Sequence, residues 1–291
     1  MNKAQRLKEL LHSGKAPIAI GIYDGISARI AQECGFEVAL MSGYGVSASQ
    51  LGMPDYGLLT MSEMVQSVRN ICKITDIPVI ADGDTGYGNP LNVRRTVEEY
   101  ENAGAAAIQL EDQLFPKRCG HMQGKEVIPT LEHCRKIEMA VESRKDMLIL
   151  ARSDAKQPYG IDEAIHRVNE YAKAGADFVL IDAPDYEDLP KIVEQVEAPL
   201  MVNMVEGGKT TITTLEDLRG MGFSLVCYPT IALFSNIYHT KKNLMHLAET
   251  GTSMDILDEM AKFKEWTDLA GMPQLQALEQ RYGIKDFNTM K

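Results

Sequence analysis

Eight short apolar runs recur along the chain: PIAIGI (17–22), EVALMS (37–42), PVIAD (78–82), AIQLE (107–111), MLILAR (147–152), FVLID (178–182), LMVNM (200–204) and SLVCYP (224–229). Most are nearly continuous rather than alternating, the pattern of parallel strands buried on both faces. Between them the period lengthens to that of an amphipathic helix. Residues 91–103 put Val93, Val97 and Tyr100 on one face, and residues 161–174 do the same with Ile161, Ile165, Val168 and Ala172. Asn89–Pro90 supplies the first of these with an N-cap and a first-turn proline. Where helix gives way to strand a glycine recurs, in Cys34–Gly35–Phe36, Ala103–Gly104–Ala105, Ala174–Gly175–Ala176 and Met221–Gly222–Phe223. Each can take the left-handed cap that ends a helix. Eight such units in 291 residues, without a Gly/Ser linker or composition break, predict a single α/β domain over 1–291. Its fold class is a (β/α)8 TIM-type barrel, with an extra C-terminal helical tail over about 253–291. A doubly wound open sheet is the alternative, but no GxGxxG follows the first strand.

Charge narrows the partners. At −11 the chain lacks the basic surface that nucleic acid or an anionic membrane requires. No apolar run approaches the ~20 residues of a membrane span, and the N-terminal residues show no signal-peptide apolar region. Five cysteines (34, 72, 119, 134 and 227) form no CxxC pair, which fits a reduced, cytoplasmic protein.

In a barrel, chemistry collects at the C-terminal strand ends. Those ends carry Ser42–Gly43–Tyr44, Asp82–Gly83–Asp84, Glu111–Asp112, Arg152–Ser153–Asp154, Asp182, Asn203 and Glu206. Grouped carboxylates repel one another unless a cation or protons offset their charge, and an oxygen-only set suits Mg²⁺ or Mn²⁺. Magnesium takes one or two direct carboxylates and several waters, so Asp82 or Asp84 is the candidate direct ligand, with Glu111 and Asp55 holding coordinated water. Strand-end aspartates also serve as helix caps and turn residues, which is the plainer explanation for any one of them. The histidines (12, 121, 133, 166, 239 and 246) lack HxxxH or HExxH grouping, so zinc is not indicated and most should lie at the surface. Arg152 suits a bidentate grip on a substrate carboxylate, or an ion pair with neighbouring acids.

The segment 112–126 should form a polar, glycine-bearing lid after the fourth strand. In its KRCGH, Lys117, Arg118 and His121 surround Cys119 with positive charge, which favours thiolate over thiol. The other four cysteines are expected as buried core filler.

Taken together, KRCGH (117–121), DGDTGYGN (82–89), LEDQ (110–113), ARSDA (151–155) and NMVEGGKT (203–210) resemble the isocitrate lyase/phosphoenolpyruvate mutase superfamily, specifically its short-chain lyase branch. The likeness runs from about residue 15 into the tail. It implies a Mg²⁺-dependent barrel enzyme, with Mn²⁺ able to substitute, whose last helix is exchanged between subunits of a homotetramer (a dimer of helix-swapped dimers). Asp82 and Asp84 match metal-site acids, with Asp55 and Glu111 around them. Cys119 matches the catalytic thiol, and Arg152 and Asn203 match substrate-carboxylate contacts. Ser42, Gly43 and Tyr44 match the loop that cradles a 2-keto acid, and Gly120 and His121 complete the substrate side of the lid. The implied reaction is reversible C2–C3 cleavage of a 2-hydroxy-dicarboxylate: a 2,3-dialkylmalate ahead of methylisocitrate, with oxaloacetate hydrolysis or decarboxylation behind. P–C bond chemistry or a non-catalytic metabolite-binding barrel is less favoured. Cys119 would protonate C3, and Tyr44 is one candidate base for the alcohol. One departure stands out: family lyases usually carry glutamate where this chain has Asp182, a side chain shorter by roughly 1.5 Å.

Overall fold

The computed structural model describes residues 2–120 and 124–283. Eight parallel strands close into a barrel in chain order, β1 pairing with both β2 and β8. They are β1 (Ile18–Ile22), β2 (Val38–Met41), β3 (Val79–Asp82), β4 (Ala107–Glu111), β5 (Leu148–Ser153), β6 (Phe178–Ile181), β7 (Leu200–Asn203) and β8 (Leu225–Tyr228). Each falls inside or within a residue of an apolar run read from the sequence.

Nearly every strand residue is buried because the barrel has two apolar layers. Side chains alternate across a strand, so one row points into the barrel and the other towards the helices. The inward rows supply a cluster that includes Val38, Leu40, Ile80, Leu148, Leu150, Phe178, Leu180, Met201 and Leu225. The outward rows, such as Ile108 and Leu110 or Ile149 and Ala151, pack against Val93, Val97, Tyr100, Ile165 and Val168 of the surrounding helices. The helices Pro90–Ala103 and Ile161–Lys173 lie where periodicity places them. Asn89 caps the first, its side chain accepting from the Leu91 and Asn92 amides at 2.9 and 3.4 Å. Gly35, Gly104, Gly175 and Gly222 have φ between 82° and 115°, as left-handed turns out of a helix require.

The N-terminal helix Lys3–Leu11 was not anticipated. Its Leu7 and Leu11 join the inner cluster, while Lys3 Nζ donates to the carbonyls of Cys72 and Thr75 ahead of β3. It therefore seals the end of the barrel opposite the C-terminal strand ends.

The chain divides into two compact units after Phe234. Residues 1–234 hold the barrel. The helix Ile231–Thr250 crosses the division, and the second unit continues with a 3₁₀ turn (Met254–Glu259) and the helices Phe263–Leu269 and Met272–Tyr282. From about 253 to 283 the tail is helical as expected, but in short pieces, and residues 284–291 lie outside the described residues; Ile256 is buried, while Leu257, Met260 and Phe263 are exposed. Among the described residues no helix is long and apolar enough to cross a membrane.

Candidate active site

The inward rows turn polar at their C-terminal ends. Leu40 is followed two residues on by Ser42, Ile80 by Asp82, Leu150 by Arg152, Leu180 by Asp182 and Met201 by Asn203. On β4 the row runs Ala107, Gln109, Glu111. The strand period thus brings residues from six strands to one place. A cavity of about 180 Å³ opens there, lined by most of these side chains together with Asp55, Lys117, Arg118, Cys119 and Gly120. Its other wall is apolar: Leu40, Tyr44, Val205, Pro229 and Phe234, with the Tyr44 and Phe234 rings edge to face at 6.2 Å.

Asp82 is fixed by backbone donors. Its Oδ2 accepts from the Gly43 amide and its Oδ1 from the Asp84 amide, both at 3.1 Å. Ser42 caps the helix Gly43–Leu51, which aims that first-turn amide at the carboxylate. Residue 43 must be glycine for this approach, since a Cβ would sit 2.7 Å from Asp82 Oδ2. Asp84 adopts φ +48°, a left-handed conformation that aspartate tolerates better than most residues.

Lys117 is the first departure from expectation. Its buried ammonium lies 2.6 Å from Asp55 Oδ2 and 2.8 Å from Asp84 Oδ1. Burial alone would lower its pKa, but Asp84, Glu111, Asp82 and Asp55 drive it well above the usual lysine range. One oxygen of Asp55 is thereby engaged by a lysine. The neighbouring Cys119 amide donates to the Asp55 carbonyl at 3.2 Å, so this pairing ties the thiol-bearing segment to the acids.

Four carboxylates against one ammonium leave excess negative charge. Burial raises the Asp84 pKa to about 6, with Lys117 opposing and Asp82 and Asp55 adding to the rise. Glu111 is pushed well above the usual range, chiefly by burial, against the pull of Arg152 and Lys117. Glu111 Oε1, Gln109 Oε1 and Asn203 Oδ1 are buried with no hydrogen-bond partner among the described residues. Crowded acids and unsatisfied oxygen acceptors around one cavity fit a hard divalent cation. No three acidic, imidazole or thiol groups form a ready-made ligand set among the described residues. A cation that keeps most of its waters needs none.

Arg152 is already ion-paired, as the plainer expectation had it. Its Nε and Nη2 meet the two oxygens of Asp154 at 2.9 and 3.0 Å, and Nη2 lies 3.2 Å from Asp182 Oδ2. Asp112 lies on the outward row and takes no part in the cavity. It instead accepts from Ser153 Oγ, the Asp154 amide and Tyr171 Oη at 2.7–2.8 Å, fixing the turn after β5. Burial, followed by the nearby Cys119 and Asp55 charges, raises the Tyr44 pKa above 10.0. Glu206 accepts from Thr230 Oγ1 at 2.6 Å on the rim.

Other expectations need correction. Cys34 is exposed, unlike the buried Cys72, Cys134 and Cys227. His12, His166 and His239 are exposed, in keeping with the expectation for most histidines, and His133 is the exception among the described residues, fully buried against Tyr171. His121 lies outside the described residues. Gln109, Lys125 and Phe234 were missed. Gln109 was signalled by its place in the inward row, but nothing local marks the other two.

A barrel whose strand ends join a thiol, a carboxylate cluster and an arginine in one small-molecule cavity has the architecture of an enzyme site. The family described as phosphoenolpyruvate phosphomutase matches residues 7–248, and the chain belongs to the phosphoenolpyruvate mutase/isocitrate lyase superfamily. It is 42% identical to 2,3-dimethylmalate lyase of Eubacterium barkeri, over 97% of this chain and 99% of that one. It is 40% identical to a 2-methylisocitrate lyase of Aeropyrum pernix, over 91% and 86%. Among solved structures, oxaloacetate acetylhydrolase with 3,3-difluorooxalacetate superposes with a TM-score of 0.93, at 33% identity and 98% and 99% coverage. Phosphonopyruvate hydrolase with oxalate and Mg²⁺ gives 0.89, at 30% identity and 97% and 99% coverage.

Proposed function

We propose that this protein is a carbon–carbon lyase that cleaves a 2,3-dialkylmalate, such as 2,3-dimethylmalate, between C2 and C3. The products are a 2-keto acid such as pyruvate and a carboxylic acid such as propionate. The observation that carries the reading is the cavity's composition: Cys119 shares it with a carboxylate cluster, a carboxylate-binding arginine and an apolar wall. The 2,3-dimethylmalate lyase relative, matched over nearly its whole length, supports the same chemistry.

In this reading the C2 hydroxyl gives its proton to a strand-end carboxylate and its oxygen becomes the keto oxygen, the C2–C3 electron pair passes to C3, and C3 takes a proton from Cys119, whose thiolate recovers the proton released from the hydroxyl. Arg152 and Asn203 hold the substrate carboxylates, and the Ser42–Gly43–Tyr44 turn seats the keto-acid half. Gly120 lets the strand-end groups approach the thiol-bearing segment, and His121 follows it in sequence. Tyr44 retains its proton at neutral pH, so it acts as a hydrogen-bond donor rather than as the base. The residues fit Mg²⁺, or Mn²⁺ with the same oxygen preference: Asp82 and Asp84 would hold it, with Glu111 and Asp55 around its waters. A bound divalent ion supplies Lewis-acid polarisation of the 2-hydroxyl oxygen and the adjacent carboxylate. The apolar wall favours alkyl substituents, each methylene being worth about 1–3 kcal/mol in a fitted pocket.

A second reading, methylisocitrate cleavage, is favoured by Arg118, a further cation on the lining that could meet a third carboxylate. Incubation with Mg²⁺ and a panel of 2,3-dialkylmalates, methylisocitrate, oxaloacetate and phosphonopyruvate separates the readings by keto-acid release. A methylisocitrate kcat/KM well above that of every alkylmalate would reverse the order. Phosphonopyruvate turnover alone would sink the lyase reading.

A further inference from the structure

Arg152 has more carboxylates than one cation can serve. Asp154 takes its Nε and Nη2 edge, Asp182 Oδ2 shares Nη2, and Glu111 Oε2 lies 3.5 Å from Nη1. A guanidinium ringed by three acids is a poor receptor for a fourth, because their field repels the incoming anion. A second cation alters the balance. Lys125 Nζ, with its side chain fully buried, lies 2.7 Å from Asp154 Oδ1 and 3.3 Å from Asp182 Oδ2. These are the same two oxygens that Arg152 Nη2 touches. Burial would lower the lysine's pKa, but Asp154 and Asp182 raise it above the usual range, so it stays charged.

We infer that Lys125 is a positioning residue for substrate-carboxylate binding: it neutralises Asp154 and Asp182 so that the Arg152 charge remains available to an anion. The group then holds two cations and three carboxylates, a formal −1; without Lys125 it holds one and three, −2. Asp182, paired with both cations, gains a specific role. A Cβ at Gly120 would lie 1.9 Å from Asp182 Oδ2 and 2.5 Å from Arg152 Nη2, so the position beside Cys119 admits no side chain next to this pair. The inference deepens the lyase reading and takes from it only that Arg152 receives a carboxylate.

The test reads local charge without substrate or metal. Cys119 lines the cavity, so its alkylation by anionic iodoacetate relative to neutral iodoacetamide reports the potential an anion meets there. The ratio cancels changes in thiol reactivity. Rates are taken from the Cys119 peptide by mass spectrometry, so the exposed Cys34 does not contribute. Lys125→Met should lower the iodoacetate/iodoacetamide ratio roughly three- to fivefold, the scale of one charge at ~10 Å in a partly screened site. Asp182→Asn should raise it, and the double variant should return close to wild type. An unchanged ratio in Lys125→Met, or a double variant as low as the single, overturns the inference. If Lys125→Met does not fold, the double variant compared with Asp182→Asn isolates the same lysine, and equal ratios there overturn it. In turnover, Lys125→Met should raise KM for the dicarboxylate by a larger factor than it lowers kcat. Failure of the substrate panel would leave the alkylation result standing, which keeps the two conclusions separable.

Discussion

Replacing Gly43 with alanine adds one methyl group at the point where a helix amide meets the Asp82 carboxylate. The new Cβ would lie 2.7 Å from Asp82 Oδ2 and 3.3 Å from its Cγ, roughly 0.7 Å inside ordinary van der Waals contact. Backbone and carboxylate must separate by about that amount, which lengthens the 3.1 Å hydrogen bond and shifts the candidate metal ligand. Stability should change little, because alanine recovers up to about 1 kcal/mol of helix propensity at a first-turn position. That recovery offsets much of the contact strain, so Tm should stay within about 4 °C. Activity should not be spared: sub-ångström misplacement of a reacting group typically costs about 10- to 10²-fold. The assay is keto-acid release at saturating Mg²⁺, paired with thermal unfolding of the same preparation. Wild-type kcat/KM in a variant with wild-type Tm would show that the position of Asp82 is not critical to turnover.

Four further outcomes follow from the structure. Chelation by EDTA should abolish turnover and Mg²⁺ or Mn²⁺ restore it; full activity after exhaustive chelation would remove the metal assignment. Cys119→Ser should lose about 10²-fold or more in kcat with its fold intact, while Cys34→Ser at the surface keeps the wild-type rate; equal rates would make Cys119 a bystander. Burial, aided by Lys136 and Arg167, lowers the His133 pKa to about 3, against ~6.5 unfolded. Stability from this neutral histidine is complete above pH ~6.5 and falls by up to ~1.4 kcal/mol per unit below it, as the unfolded chain takes up the proton. His133→Leu should flatten the pH dependence of unfolding between pH 6.5 and 4.5, and identical slopes would contradict the assignment. Finally, exposed Leu257, Met260 and Phe263 suit burial between subunits by helix exchange. Light scattering should report a dimer or tetramer, and a monodisperse monomer at micromolar concentration would count against this.

The barrel was legible because its constraint is local and repeated. A strand buried on both faces must be apolar throughout, and a helix turning into it needs a left-handed residue, so eight runs and four glycines marked the units. The candidate site residues were legible to the extent that they sit at strand ends. What stayed hidden was the pairing of charges distant in sequence. Lys117 sits two residues from Cys119, yet its ammonium closes onto Asp55, 62 residues away. Lys125 reaches Asp182 across 57 residues. No periodicity records such choices, because they are made by competition among desolvated charges once the barrel has closed. Asp112 could have been separated from Glu111, since adjacent strand residues point to opposite faces. The same alternation marked Gln109 as inward-facing.

The helix Lys3–Leu11 has a consequence for traffic. Its Leu7 and Leu11 pack with the inward side chains, and one of these, Leu40, is also part of the apolar lining of the candidate cavity. The cavity therefore has a solid floor, and whatever enters from the strand-end side must leave by the same door. A cleavage that yields two fragments in such a chamber imposes a queue. The fragment nearer the mouth departs first, and the one seated against the acids waits behind it.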